Sequence, residues 1–255
     1  MIGVSSTQFS AYLFEEVIEE VAKVFDHWEI FAEAEHRLPS IESRFRDLMQ
    51  SYNKLSYSIH APISDINLAS LNERIREDSI LEILTTAESA ANLNIETITI
   101  HPGLTSMAVP YMEEKAVEKA KKSLSSIDRI SQQYGVRIAV ENMPSFPFML
   151  GHTAEEMKEL IENTNLGFCL DIGHANTTGQ TEELIKEFGD RLVNVHIHDN
   201  HGEMDEHLTL GEGNIDFKKV LGMLKGYKGN YIIESKSYPS AVDSQDYLRS
   251  LCPDL

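Results

Sequence analysis

Side chains that bind metals and transfer protons stand at the ends of short apolar segments of this chain. The segment VNVHIHDN (193–200) alternates apolar and polar residues, which is typical of a half-buried strand, and it ends in His196, His198 and Asp199. Imidazoles and carboxylates ligate divalent cations and act as general acids and bases. The chemistry depends on which other segment ends the fold brings beside this one.

The other predicted strands end in residues of the same types. In chain order these residues are His60, His101, Glu141, Asp171, His174, His196 and Glu234, with Asp205 and His207 in the loop after the seventh strand. Such donors, with almost no thiolate, suit Zn²⁺, Mn²⁺, Co²⁺ or Fe²⁺. Nine potential ligands exceed what one tetrahedral ion uses. We therefore predict a divalent metal site of one to three ions, with Zn²⁺ as the first choice.

Eight segments of the chain are predicted to be strands. They are IGVSS from 2, WEIFAE from 28, LSYSIHAP from 55, TITIHPG from 97, RIAVENM from 137, GFCLDIGH from 167, LVNVHIHD from 192 and YIIESKS from 231. The segments between them have apolar residues at helical spacing, among them 15–25, 113–134 and 154–163. Strands that alternate with helices indicate an α/β protein with a parallel sheet.

Eight such units in about 250 residues predict a closed (β/α)8 TIM barrel, whose chemistry lies at the C-terminal ends of the strands. An open doubly wound sheet is the competing topology, but it requires no particular number of strands. The chain has no long linker or change of composition, so residues 1–255 are predicted to form one domain. Gly135, Gly189 and Gly229 follow helical segments and are expected as left-handed caps. Thr153 and Glu156 form a capping-box pattern.

The overall composition limits the classes of partner. The chain has 22 basic and 41 acidic residues and a formal charge of −19, which gives no broad attraction to nucleic acid or anionic membranes. Two cysteines outside any CxxC motif fit a reducing compartment. The chain shows no signal-peptide pattern and no apolar run of 18 residues, so we expect no membrane partner and a cytoplasmic location.

Several further residues have two interpretations. His198 at the rim is expected to support a metal ligand or to contact the substrate. The loop GEGN (211–214) could bind phosphate through backbone amides, although a turn bounded by glycines is favoured, and Lys236 is a weak candidate for substrate binding. Cys169 is expected to be a small buried hydrophobe. The histidines at 27, 36 and 152 are assigned to the surface or to packing.

The chain resembles the superfamily that joins endonuclease IV to the xylose isomerase-like sugar isomerases and epimerases. The resemblance covers nearly the whole chain. It rests on HAP (60–62), HPG (101–103), ENMP (141–144), GFCLDIGH (167–174), HIHD (196–199), DEHLTLGEGNIDF (205–217) and IIES (232–235). Resemblance to endonuclease IV implies a trinuclear zinc site that uses all nine residues named above. Resemblance to the isomerases implies one ion held by Glu141, Asp171, His196 and Glu234, with both glutamates as acid and base.

Departures from endonuclease IV favour the isomerase branch. The motif DIGH replaces the nuclease motif D-T-C-H, and His198 stands where an asparagine is expected. Glu206 stands in place of a basic residue, and the acidic segment FAEAEH follows the second strand where the nuclease has a DNA-gripping loop. These changes remove contacts to phosphate, which supply most DNA affinity.

We therefore predict a metal-dependent sugar or sugar-phosphate isomerase or epimerase. Glu141 and Glu234 would move a proton through an enediolate, while His174 contacts a sugar hydroxyl or binds a second ion. The alternative is a zinc phosphodiesterase of endonuclease IV type that cleaves DNA 5′ to abasic sites. A metal-binding barrel without turnover is a third hypothesis.

Overall fold

The computed structural model describes residues 1–253, so the last two residues of the predicted domain lie outside the described part. Eight parallel strands form a closed barrel in which β1 also pairs with β8. The strands are β1 (Ile2–Ser5), β2 (His27–Phe31), β3 (Ser56–His60), β4 (Thr97–Ile100), β5 (Arg137–Glu141), β6 (Gly167–Asp171), β7 (Leu192–Ile197) and β8 (Asn230–Glu234). The prediction of a (β/α)8 TIM barrel is confirmed.

Helices connect the strands and cover the outside of the barrel. They are α1 (Phe14–Val21), α2 (Leu38–Ser51), α3 (Glu73–Asn92), α4 (Glu113–Tyr134), α5 (Ala154–Ile161), α6 (Ile172–Thr178), α7 (Thr181–Phe188), α8 (Phe217–Met223) and α9 (Tyr238–Leu251). The first helix shows the principle, because Phe14, Val17, Ile18 and Val21 form one buried face while its glutamates stay in solvent. Burial of such faces against the strands forms the continuous apolar core.

The parallel register aligns the chemistry at one end of the barrel. Asp171 at the end of β6 lies beside His196 of β7, and Glu234 at the end of β8 lies beside Ser5 of β1. Because all strands run in the same direction, their C-terminal ends meet at one rim. The residues predicted from separate segments therefore lie above a common barrel mouth.

Two of the three glycine predictions are wrong. Gly135 caps α4 with a φ of 70°, as predicted. Gly189 has a φ of −51° and leads from α7 into a short 3-10 turn, so it continues a right-handed path. Gly229 is not in the left-handed region; a Cβ there would lie 2.2 Å from the Tyr227 hydroxyl, so close packing explains this glycine. The left-handed turn after α8 is made by Gly226 instead, with a φ of 108°.

Side-chain caps set where two of the helices begin. The Thr153 hydroxyl accepts a hydrogen bond from the backbone N–H of Glu156 at 3.2 Å, which confirms that cap. The segment predicted as a strand over 167–174 ends at Asp171, because its carboxylate accepts the backbone N–H of His174 at 2.6 Å and begins α6. His174 therefore points from the first turn of a helix rather than from a strand.

Candidate metal centre

The carboxylate of Glu141, which is only 1% exposed, lies at the centre of the rim. Its Oε2 is 3.2 Å from Nε2 of His60 and 3.2 Å from Nε2 of His101, and its Oε1 is 3.0 Å from Nδ1 of His196. The same Nδ1 is 3.1 Å from Oε1 of Glu234. The ends of five strands therefore converge on one buried carboxylate.

The potential ligands form two compact sets, within each of which the donor atoms lie within 4.8 Å of one another. The inner group consists of His60, Glu141, His196 and Glu234, and the outer group consists of His174, His198, Asp205 and His207. Asp171 lies between them, with Oδ1 3.2 Å from Nε2 of His198 and Oδ2 4.0 Å from Nδ1 of His196. Asp171 belongs to two further sets of three, one with Glu141 and His174 and one with His198 and Glu234. Eight of the nine predicted ligands therefore take part in sets within residues 1–253, whereas His101 contacts Glu141 but joins none.

Three imidazoles of the rim each have one ring nitrogen directed at a hydrogen-bond acceptor. Nδ1 of His60 donates to the backbone carbonyl of the next residue at 2.9 Å, and Nδ1 of His174 donates to the carbonyl of Asn142 at 2.9 Å. Nε2 of His196 lies 2.7 Å from Oε1 of Glu29. If the ring nitrogen that faces each of these acceptors carries the proton, the other ring nitrogen of each histidine directs its lone pair toward carboxylate oxygens. This arrangement requires either a protonated ring or a cation between the groups.

The rim stabilises positive charge. Burial by itself would lower the pKa of His174 and His196, but the carboxylates around them outweigh it and raise both well above the usual imidazole value. Burial would likewise raise the pKa of Asp171, but the charges of His174 and His198 lower it to about 2. The pKa of Glu141 is held well below its usual range by the same balance, chiefly through His196. A divalent cation would supply this charge while the imidazoles stay neutral.

Buried atoms without partners also indicate a cation. Among residues 1–253, Oδ2 of Asp171, Oδ1 of Asp205 and both ring nitrogens of His198 are buried and make no hydrogen bond. Each such atom costs about 1–3 kcal/mol when its partner is missing. Imidazole nitrogens and carboxylate oxygens are the donors that zinc and related ions use, so the residues present fit a divalent metal.

Glu29 was missed by the sequence analysis. It is fully buried inside the barrel on β2, where its Oε2 accepts hydrogen bonds from Ser58 at 2.7 Å and Asn194 at 2.6 Å. Burial opposes its ionisation, but the charge of His196 outweighs burial and lowers the pKa of Glu29 to about 2. The signal was a charged residue within the otherwise buried strand HWEIF, because a buried charge requires a partner.

Asp199 organises a loop rather than the metal centre. Its fully buried Oδ2 accepts the backbone N–H groups of Gly211 at 2.9 Å and Gly213 at 3.0 Å, and its Oδ1 accepts that of Asn200 at 2.9 Å. The backbone N–H groups of Glu212 and Asn214 donate to the carbonyls of Thr209 and Asn200, so all four amides that a phosphate would need are occupied. The turn interpretation of GEGN is therefore supported, and the phosphate interpretation is wrong.

The remaining sequence candidates divide between the interior and the surface. His198 follows β7 and is fully buried, and Cys169 is fully buried with a thiol pKa that burial raises. Lys236 is exposed on the loop after β8 and makes no hydrogen bond in the described part of the chain. The pKa of Glu206 is lowered mainly by hydrogen bonds from His201 and to a smaller extent by the charge of Lys236. The role of Lys236 in substrate binding stays a prediction.

Comparison with known proteins identifies the family. The family model described as xylose isomerase-like TIM barrel matches residues 18–251. The crystal structure of a D-tagatose 3-epimerase-like protein superimposes with a TM-score of 0.92 at 36% identity, covering 99% of this chain and 97% of that one. An uncharacterized protein of Methanocaldococcus jannaschii is 38% identical over 256 residues, which cover 97% of this chain and 87% of that protein.

The fold is also that of a nuclease. Endonuclease IV from Thermus thermophilus matches with a TM-score of 0.72 at 24% identity, covering 100% of this chain and 99% of that one. At that identity the likeness concerns the fold alone.

Within residues 1–253 we find no helix with the length and apolar character needed to cross a membrane. The matched range of the family model and the two relatives above 30% identity show that the chain belongs to the xylose isomerase-like TIM barrel family.

Proposed function

We propose that the protein is a divalent-metal-dependent epimerase or isomerase of small ketose sugars. This proposal rests on two carboxylates that approach the same imidazole nitrogen. Oε1 of Glu141 lies 3.0 Å and Oε1 of Glu234 lies 3.1 Å from Nδ1 of His196. Two carboxylates beside one ion are what proton transfer on either side of a sugar carbon requires. The likeness to a D-tagatose 3-epimerase-like protein at 36% identity supports the same class.

The inner ion would be held by Glu141, His196 and Glu234 of the inner group together with Asp171, as the resemblance to the isomerases implies, while His60 contacts Glu141. When bound, a divalent cation such as Zn²⁺, Mn²⁺, Co²⁺ or Fe²⁺ polarises the sugar carbonyl and its neighbouring hydroxyl and so acidifies the C–H between them. The carboxylate of Glu29, whose Oε1 lies 2.7 Å from Nε2 of His196, would keep that ring in the tautomer that ligates through Nδ1. With the ion held in this way, the carboxylate oxygens of Glu141 and Glu234 lie at the place where the proton is transferred.

Proton transfer falls to Glu141 and Glu234. One carboxylate removes the proton from the carbon beside the carbonyl, and the C–H electrons move into the C–C bond to form an enediolate. The opposite carboxylic acid then returns a proton to the other face of that carbon, giving the epimer, or to the neighbouring carbon, giving the isomer. Of the two roles predicted for His174, binding of a second ion fits better, since its Nε2 lies 3.4 Å from Oδ2 of Asp205.

The rim favours an uncharged sugar over a sugar phosphate. The amides of the GEGN loop are bound to Asp199 and to backbone carbonyls, and Lys236 lies in the field of Glu206. The whole chain carries a formal charge of −19, which opposes an anionic substrate. We therefore infer that the substrate is a free ketose.

Deuterium exchange tests the proposal directly. Metal-loaded protein is incubated in D₂O with a panel of free ketoses, and proton NMR follows loss of the signal beside the carbonyl together with the appearance of epimers or aldoses. We expect exchange that requires metal and that falls by at least about 10³-fold in Glu141→Gln and Glu234→Gln, since each removes a proton carrier. Folded, metal-loaded wild-type protein that exchanges no proton with any ketose would contradict the proposal.

The outer group favours the nuclease as a second candidate, because His174, Asp205 and His207 match the residues that resemblance to endonuclease IV assigns to a further zinc. Incision of a duplex with one abasic site at low salt is the direct measurement, with His196→Ala as the metal-site control. Metal-dependent cutting that the variant lacks would identify a phosphodiesterase. If protein with verified metal content does not cut the duplex, the nuclease candidate is excluded and the sugar proposal remains.

A further inference from the structure

We infer that His198 is a fourth protein ligand of the outer group and that it closes a metal site that would otherwise keep an open position. This inference goes beyond the proposed function, because it concerns a second ion that does not take part in proton transfer. It starts from two of the positions, 173 and 198, at which the chain departs from the endonuclease IV pattern.

The surroundings of the His198 ring are those of a ligand. The side chain is fully buried, and neither ring nitrogen makes a hydrogen bond within the described part of the chain. Its Nε2 lies 3.4 Å from Oδ1 of Asp205 and 3.2 Å from Oδ1 of Asp171. The ring stacks on that of His207 with 3.9 Å between ring centroids, so both imidazoles approach Asp205 from the same side.

The distance from each imidazole of the outer group to a carboxylate oxygen of Asp205 matches the spacing of neighbouring ligands of a tetrahedral ion. Nε2 of His174 is 3.4 Å from Oδ2 of Asp205, and Nε2 of His207 is 3.2 Å from Oδ1 of the same carboxylate. With metal–ligand distances of about 2.0–2.1 Å, neighbouring ligands of a tetrahedral zinc are about 3.3–3.4 Å apart. His198 at 3.4 Å from Asp205 meets the same spacing, so the four residues present four donors.

Gly173 makes the room that this histidine needs. A Cβ at position 173 would lie 2.0 Å from Cε1 and 2.3 Å from Nε2 of His198, which no real side chain tolerates. Gly173 in DIGH and His198 in HIH therefore depend on each other, since the larger ring at position 198 requires the smaller residue at position 173. Asn200 supports the same arrangement by donating to the carbonyl of Gly173 at 2.8 Å.

The fourth ligand changes what the outer ion can do. Structural zinc sites use four protein ligands, whereas catalytic sites use three and keep one position for water or substrate. Four protein donors leave no position for a phosphate oxygen or a leaving group. The outer ion is thus assigned a structural role that ties the loop after β7 to α6.

Metal binding tests the assignment without reference to turnover. Apo protein is titrated with Co²⁺, and the visible absorption and the number of bound ions are measured for wild type, His198→Asn and the ligand control His207→Ala. We expect wild type to develop the intense visible bands of four-coordinate Co²⁺ at the outer site. Both variants should lose these bands and bind the outer ion at least tenfold more weakly, with circular dichroism showing that each is folded.

A second measurement uses the wild type alone and does not depend on the folding of a variant. Protein labelled with ¹⁵N-histidine is titrated with Zn²⁺, and Nε2 of His198 should shift together with those of His174 and His207. An unshifted His198, or a His198→Asn variant with unchanged spectrum and stoichiometry beside a defective His207→Ala, would overturn the assignment. Either result leaves the sugar proposal intact, because deuterium exchange depends on the inner group.

Discussion

At the scale of single residues, the centre depends on groups that hold the ligands as much as on the ligands themselves. Glu29 is 2.7 Å from Nε2 of His196, the ring nitrogen that faces away from Glu141 and Glu234. Ser58 and Asn194 in turn fix Glu29. This chain of contacts determines which nitrogen of His196 is free to ligate, and such supporting groups contribute about 10–100-fold to metal affinity.

We therefore expect Glu29→Gln to weaken metal binding without removing a ligand. The amide keeps the size of the side chain but loses the charge that stabilises the proton on Nε2 of His196, so affinity of the inner ion should fall about 10–100-fold. Competition with a chromophoric chelator measures it. The matched control is Glu88→Gln, an exposed acidic residue of α3 outside both groups. Equal affinities of the Glu29 variant and wild type would contradict this role.

His36 gives the fold a pH dependence unrelated to the metal centre. It was assigned to the surface or to packing, and the structure shows packing, since its fully buried ring lies edge-on to Phe14 and Trp28. Burial lowers its pKa to about 4. Between pH 6.5 and 4 the unfolded chain therefore binds a proton that the folded chain does not, so stability falls as the pH falls through this window.

The variant His36→Leu should remove this loss. Through His36 the wild type should lose about 2 kcal/mol of unfolding free energy between pH 7.5 and 5.0, so the difference between variant and wild type should shift by that amount in favour of the variant. Urea unfolding of both proteins at both pH values measures this difference. Titration of the metal ligands affects wild type and variant equally, so it does not contribute to the difference between them. A difference that is independent of pH would show that His36 is protonated equally in both states.

At the scale of elements, the start of α6 decides how the rim is assembled. Asp171 ends β6 and caps the helix, which turns His174 toward Asp205 while Gly173 passes over the His198 ring. Alanine is normally better than glycine inside a helix by about 0.5–1 kcal/mol. At Gly173 the sign should reverse, because the new methyl group would collide with a buried ring.

A double-mutant cycle in chelator-treated protein tests this reversal. Gly173→Ala should destabilise the wild type by about 1–3 kcal/mol through overpacking. In a His198→Ala background, where the ring is gone, the same substitution should be neutral or stabilising. Urea unfolding gives the four free energies, and the coupling between the two positions should exceed about 1 kcal/mol. Additive effects would mean that the helix shifts to accommodate the methyl group.

The elements show what the sequence could predict and what it could not. All eight strands were predictable, because their apolar segments are buried on both faces, and so was the rim, because parallel strands share one C-terminal end. The pairing of Glu29 with His196 was not, since residues that meet across a barrel interior depend on its closure. The burial of His198 was equally hidden, because it depends on space left by Gly173 on another element.

At the scale of the whole molecule, the charge is distributed unevenly between the interior and the surface. Surface acids are largely solvated or paired with lysine and arginine, as in the pairs of Glu82 with Arg37 and Glu15 with Arg44. The barrel mouth instead concentrates buried carboxylates and imidazoles whose charges are balanced only by one another. A bound cation should therefore stabilise the folded state as a whole.

Removal of metal should lower the melting temperature. An ion present at about 100 times its dissociation constant contributes about 2.7 kcal/mol, which corresponds to about 5–10 °C for a chain of this size. Differential scanning fluorimetry before and after chelation measures the shift. Zn²⁺ should restore it, whereas Mg²⁺, which prefers oxygen ligands, should not. Unchanged melting in protein shown to have lost its metal would place the ions outside the folded core.

The seam of the barrel makes the completion of the site depend on the synthesis of β8. β1 closes only against β8, and the last pair of that seam is Ser5 with Glu234. During synthesis the first strand therefore keeps an unpaired edge until β8 has been made. A chain that terminates before β8 lacks both the closing strand and the carboxylate of Glu234. Such a product would expose unpaired strand edges, which invite aggregation and proteolysis, so fragments without the complete inner group should not persist as closed barrels.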